Sequence, residues 1–308
     1  MSERATEPAA PTERGPRAVV WERRRHALGG VWRQYSADRG GLIGLGMLVL
    51  IVALALLAPV LTDESDLSVV HATGGRLTPP SSKYWLGTDT NGVSVLLLTW
   101  WGARISLLVG VTATLLSVVI GTLIGMIAAH FGGWASAVLL RITEFFLVLP
   151  SLVLAIALST VFERGVGTIV LAIGVTSWPT TARLVRAQTL TIEARPFIER
   201  ARALGGGHAH VLGRHVLPTV LPLVLANTTL TVGSAIIAES TLSFLGLGDP
   251  SNPSWGGMLN SALQIGAATA GAWWYVLPPG IGIVLVVLAF TMCGRALETV
   301  LNPRLRRR

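Results

Sequence analysis

Leu42-Ile-Gly-Leu-Gly-Met-Leu-Val-Leu-Ile-Val-Ala-Leu-Ala-Leu-Leu-Ala-Pro-Val-Leu61 contains no charged residue. As a helix, these twenty residues rise roughly 30 Å, the thickness of a bilayer's hydrocarbon core. The run is near-continuous rather than alternating, which predicts a helical span and not a barrel strand. Just over half of the chain is apolar and 13% is charged, a balance that belongs to a lipid-solvated protein rather than a soluble domain.

Further runs at about 103–129, 137–160, 166–187, 217–243 and 275–297 are each long enough to cross. The chain therefore reads as an all-α membrane protein with six transmembrane helices. Its segments are an N-terminal tail over 1–40, partly disordered to about Ala18; a first span over 41–61; an outer loop over 62–102; a core of five spans over 103–297 that includes a loop at 188–216; and a basic tail over 298–308. The forty-residue polar leader is too long for a signal peptide, so the first span reads as an uncleaved anchor. Trp21, Trp32 and Tyr35, with arginines between them, fit either an interfacial segment or a solvated tail.

Basic residues set the orientation. Residues 1–40 hold eight arginines, 183–215 six, and the tail beyond Asn302 four. The intervening loops hold only Arg76, Lys83 and Arg164 beside Asp63, Glu64, Asp66, Asp89, Glu163 and Asp249. Both termini and the 188–216 loop are thus expected in the cytoplasm. A net charge of +8 confined to one side of a membrane calls for no nucleic-acid partner.

Within the spans, Ser106, Gly110, Ala113, Ser117 and Gly121 share one helical face, and Gly121 with Gly125 forms a small-xxx-small pair. This stripe suits close helix packing in lipid, or a solute-lining face. Asn227, Thr231 and Ser234 form a polar stripe on the fifth span that fits helix–helix hydrogen bonding and a translocation pathway equally. Glu239 farther along is an ionisable group at depth, costly unless paired. Arg141 and Glu144 read as an i, i+3 pair. Pro150 and Pro179, within the third and fourth spans, predict kinks at or just before them, and Cys293 reads as a packing residue.

In the 188–216 loop, Pro196 is placed to start a short helix with Phe197, Ala201 and Leu204 on one apolar face. Arg200 and Arg202 leave another face charged. Gly205-Gly206-Gly207 stops this helix, and a second helical pattern follows through Val211, Leu212 and Val216. A helix exposed between two anchored spans fits docking into a partner's groove, or a loop lying on lipid headgroups.

Glu199, Ala201, Gly205 and Leu217-Pro218 reproduce the spacing of the "EAA" loop of binding-protein-dependent ABC importers. More of the chain resembles the "C"-type permease of the dipeptide/oligopeptide/nickel branch. Leu86-Gly-Thr-Asp89, Gly102-Ala-Arg-Ile-Ser-Leu-Leu-Val-Gly110, Thr176-Ser-Trp-Pro179, Arg214-His-Val-Leu-Pro218, Ser243-Phe-Leu-Gly-Leu-Gly248, Pro253-Ser-Trp-Gly256 and Asn302-Pro303 carry that resemblance over roughly residues 38–305. It implies a type I importer permease bundle in a prokaryotic cell membrane that forms half of a pathway for short peptides. A homologous second permease subunit, two cytoplasmic ATPase subunits and an extracytoplasmic solute-binding protein would be its partners. Glu199, Arg200, Ala201, Gly205, Leu217 and Pro218 would then form the coupling contact, and Gly87, Thr88 and Asp89 an extracytoplasmic motif. Asn227, Thr231, Ser234 and Glu239 would be candidates for the pathway. ATP and Mg would sit on the ATPases, and this chain would bind no cofactor and catalyse nothing.

Two positions depart from the family pattern. Gly92-Val93-Ser94 stands where Gly-Arg-Asp is usual, and Arg200 stands in place of alanine, a charge that an ATPase carboxylate could meet. The same machinery could import nickel or another small solute. A secondary transporter, which would carry mid-depth charges and paired broken spans, and a non-transport assembly protein are the rival classes. The sequence contains no Gly-x-x-x-x-Gly-Lys-[Ser/Thr] loop for nucleotide binding. His208, His210 and His215 lack the cysteine or carboxylate that would complete a zinc set, so no metal site is expected.

Overall fold

A computed structural model of the chain describes residues 29–301. The leader to Ala18, Trp21 and the tail from Asn302 lie outside the described residues. Regular structure within them is helical, apart from an isolated bridge between Thr88 and Ser94. The elements are α1 (Arg39–Leu61), α2 (Val95–His130), α3 (Gly133–Val148), α4 (Ser151–Val161), α5 (Val166–Glu193), α6 (Pro196–Ala203), α7 (His208–Phe244), α8 (Trp255–Gln264) and α9 (Trp273–Leu301).

Five of these, α1, α2, α5, α7 and α9, are long and apolar enough to cross a membrane, and α3 with α4 makes up to six. The third span expected over 137–160 is not one straight helix. α3 and α4 meet at a 90° bend, because Pro150 has no N–H to continue the ladder and holds Leu149 extended (φ −79°, ψ 130°). At Pro179 the helix is not broken, and α5 runs on across it. The close approach of α2 to this turn holds it helical: a Cβ on Gly121 would lie 2.7 Å from Trp178 O and from Thr181 Cβ.

Helix ends also shift from the sequence reading. α2 begins at Val95, inside the segment expected to be loop, directly after Ser94 in extended geometry. Its first turns are tied down by indoles, with Trp101 Nε1 donating to Thr62 Oγ1 at 2.9 Å and Trp255 Nε1 to Thr99 O at 2.8 Å. At the start of α1, Asp38 Oδ1 accepts from Gly41 N at 3.0 Å, satisfying an otherwise orphaned donor. Trp32 is exposed, while Tyr35 is buried and donates its hydroxyl to Gly41 O at 3.0 Å.

The glycines of the small-residue stripe form a packing surface, while Ala113 and Ser117 border a cavity. On α2, Gly121 and Gly125 face α5, where a Cβ on Gly125 would lie 2.5 Å from Ala182 O, and one on Gly110 would lie 2.3 Å from Ile236 Cγ1 of α7. Without side chains here the backbones approach closely enough for dispersion contacts to hold the helices together in lipid, where apolar surface has no water to leave. Cys293 is buried on α9, and Arg141 Nη1 donates to Glu144 Oε2 at 3.2 Å on α3. One apolar cluster joins Val118 and Met126 of α2 and Val185 and Ile192 of α5 to Ile198 of α6 and Val211, Val216 and Val220 of α7. That cluster places α6 at one end of the bundle.

Candidate coupling surface and polar cavity

α6 starts at Pro196, whose fixed φ suits the first helical turn. Its end is a Schellman turn: Gly206 N donates to Ala201 O at 2.9 Å and Gly205 N to Arg202 O at 3.0 Å, with Gly205 at φ +87°. Ile198 is fully buried in the cluster beneath α6. Phe197, Ala201 and Leu204 face the other way and, with Arg200, His210 and His215, line an open groove of about 510 Å³. The apolar face read from the sequence is thus the outward one, with Leu204 88% exposed, and the anchoring residue is one that reading missed. Glu199 and Arg200 are exposed beside it.

Leu217 is half-buried against the same cluster, and Pro218 is exposed. A π-helical turn over Leu212–Val216 precedes them. A proline ring collides with the carbonyl four residues earlier, that of Arg214, and widening the turn relieves the collision without ending the helix. The loop therefore feeds into α7 as one continuous element.

Asn227, Thr231 and Ser234 of α7 line a cavity of about 500 Å³ that they share with Thr114 and Ser117 of α2 and Ser177, Thr180 and Thr181 of α5. Asn227 Nδ2 donates to Thr231 Oγ1 at 3.3 Å, and Thr231 Oγ1 to Asn227 O at 2.9 Å. Thr114 Oγ1 and Ser117 Oγ are buried with no partner among the described residues. No charged residue, histidine or cysteine is among its lining residues. Glu239 is not among them either. It is 1% exposed, and its carboxylate accepts from Ser243 Oγ at 2.9 Å and Ser240 Oγ at 3.3 Å.

Gly87, Thr88 and Asp89 build a tight turn ahead of α2. Gly87 has φ +65°, and Thr88 Oγ1 donates to Gly75 O at 2.6 Å while accepting from Thr78 N at 2.9 Å. Asp89 Oδ1 accepts from Asn91 N and Val93 N, both at 2.8 Å. Burial pushes the Asp89 carboxyl above the usual carboxylate range, opposed by the N–H groups of Val93 and Asn91. Val93 is 3% exposed, so at this position the chain has an apolar contact rather than a surface charge.

Residues 121–307 match the family model described as "Binding-protein-dependent transport system inner membrane component", and residues 28–80 match "N-terminal TM domain of oligopeptide transport permease C". The chain is 36% identical over 277 residues to the dipeptide transport system permease protein of Bacillus subtilis, covering 90% of this chain and 85% of that one. It is 34% identical over 277 residues to the oligopeptide transport system permease protein of the same organism, covering 89% and 88%. To the glutathione transport system permease protein of Pectobacterium atrosepticum it is 36% identical over 231 residues, covering 74% and 75%. With its helical bundle, its candidate spans and these matches, the chain belongs to the binding-protein-dependent inner-membrane permeases of ABC importers, non-catalytic membrane subunits that work with separate ATPases.

Proposed function

We propose that this chain forms half of the translocation pathway of an ATP-driven importer of short peptides and couples to its ATPases through α6. The observation that carries the coupling role is the two-faced character of α6, with Ile198 sealed into the bundle and Phe197, Ala201 and Leu204 outward in a groove beside Arg200. Such a surface fits a protein partner better than a headgroup layer, because its groove is concave and mixed in polarity. Glu199, Arg200, Ala201 and Gly205 form the contact, and Leu217 and Pro218 carry it into α7. In this reading both termini are on the cytoplasmic side, which the arginine distribution supports.

In this reading the partners are one homologous permease subunit, two ATPases that hold ATP and Mg, and an extracytoplasmic solute-binding protein that meets the turn around Gly87, Thr88 and Asp89. The cavity at Asn227, Thr231 and Ser234 is the solute path, and its neutral hydroxyl and amide lining suits peptide amide groups. The dipeptide, oligopeptide and glutathione permeases among its relatives favour peptides as cargo. A nickel ion would find no carboxylate, histidine or cysteine on that lining.

Proteoliposomes with the co-purified partners test this. Uptake of labelled tri-alanine that needs ATP and the ATPases is the expected result. Uptake by this chain alone under an ion gradient would overturn it.

A further inference from the structure

At the α6 end of the bundle a polar network joins four helices, and the coupling contact described above does not use it. His130, in the last turn of α2, has 1% of its side chain exposed. Its Nδ1 lies 2.5 Å from Glu193 Oε1 at the end of α5, and its Nε2 lies 2.8 Å from His208 Nδ1 at the start of α7. The other Glu193 oxygen, Oε2, accepts from Arg202 Nη2 of α6 at 2.6 Å. Phe131 covers the histidines, with ring centroids 5.0 Å from His130 and 5.3 Å from His208.

We propose that Glu193 and His130 are positioning residues that lock α6 to the ends of α2, α5 and α7, so that these four helices move as one body. The proposal rests on the reading of α6 as the ATPase contact, and it says how displacement of α6 reaches the spans.

The need for such a lock follows from how α6 is attached. Its apolar anchor is Ile198, and apolar burial is non-directional, so it resists lifting but not rotation. The connection to α7 runs through Gly205, Gly206 and Gly207, a segment with wide conformational freedom. A charge-assisted bond from Arg202 to Glu193, with Glu193 held on its other oxygen by His130, fixes the direction that Ile198 leaves free. The Glu193 side chain is 12% exposed and that of Arg202 46%, so the carboxylate is shielded while the guanidinium meets solvent. The His130 contact, 1% exposed on the histidine side, is the better protected of the two. Shared partners also make the contacts interdependent, so losing one loosens the rest.

The test uses the assembled complex with spin labels at Ala187→Cys on α5 and Ala203→Cys on α6, in a Cys293→Ser background. The expected wild-type result is one narrow distance, unchanged by ATP with vanadate. Glu193→Gln and Arg202→Gln are expected to broaden it or add a second distance, while Arg202→Lys, which keeps the charge, stays narrow. If Glu193→Gln does not assemble, His130→Phe keeps the ring packing, removes both polar contacts and gives the same broadening. A narrow, unchanged distance in Glu193→Gln or His130→Phe would overturn the proposal, as would a broad one in the wild type. ATPase co-purification with Leu204→Glu separately tests the docking reading: ATPases retained there would defeat that reading without altering the distance result.

Discussion

Ile198 and Leu204 belong to the same eight-residue helix and its cap yet meet opposite environments, Ile198 at 0% exposure and Leu204 at 88%. Their substitution effects should separate accordingly. Ile198→Ala removes packing from a closed cluster and should cost about 2–4 kcal/mol, seen as a lower unfolding temperature in detergent. Leu204→Ala should leave that temperature unchanged and instead reduce the amount of ATPase that co-purifies. Equal effects of the two on unfolding temperature would remove the distinction between anchor and docking face.

Gly205 separates backbone from side-chain effects at the same surface. Its φ of +87° lies where only glycine is at ease, while a Cβ there would meet nothing within 4 Å. Gly205→Val should therefore cost about 1–2 kcal/mol through backbone strain alone. Gly205→Asn should cost less, since asparagine tolerates this region. Membrane insertion should survive in both, with ATPase recovery falling for valine and largely kept for asparagine. Full transport and normal ATPase recovery with valine would show that the Schellman turn has no part in coupling.

Asp89 gives a pH-dependent prediction. Its folded-state pKa is raised above the ordinary 3.8 by burial, so the folded state holds the proton more tightly than the unfolded one. That contribution to stability is fully present below pH 3.8 and is lost as pH rises through the raised value. Asp89→Asn should abolish this part of the pH dependence in thermal unfolding. Asp89→Ala should cost more than Asn at neutral pH, about 1–3 kcal/mol, because it leaves the buried N–H of Val93 without its acceptor, whereas Asn91 is exposed and its N–H can turn to water. An unchanged pH profile in Asp89→Asn would assign the titration to another group.

The features legible in the sequence were those with a local signature. Uninterrupted apolar length gave the spans, Pro196 and the glycine triplet gave the limits of α6, and residue spacing gave the Gly121 and Gly125 contact. What stayed hidden depends on groups brought together from distant positions. His130 and Glu193 are 63 residues apart, and nothing near either one marks its partner. The two prolines show the same limit, since Pro150 breaks its span and Pro179 does not. Local chemistry is shared, and the difference comes from α2 packed against the Trp178–Ala182 turn. Ile198 escaped notice because Phe197, Ala201 and Leu204 form the more obvious stripe, and a stripe does not say which side faces the protein.

The cavity residues allow stability and function to be read apart. Thr114 Oγ1 and Ser117 Oγ are buried without partners, so the folded state gains nothing from their polarity. Replacing a partnerless buried hydroxyl by an apolar group of similar size removes a desolvation cost of about 1–3 kcal/mol. Thr114→Val and Ser117→Ala should therefore be neutral or stabilising in thermal unfolding. If these hydroxyls face a passing peptide, the same changes should slow ATP-driven uptake while ATPase recovery stays normal. Asn227→Leu should act more strongly on uptake, since it also removes the amide that bonds Thr231 at 3.3 Å. Unaltered uptake in all three variants would make this stripe a helix-packing device and would place the solute path elsewhere in the assembled importer.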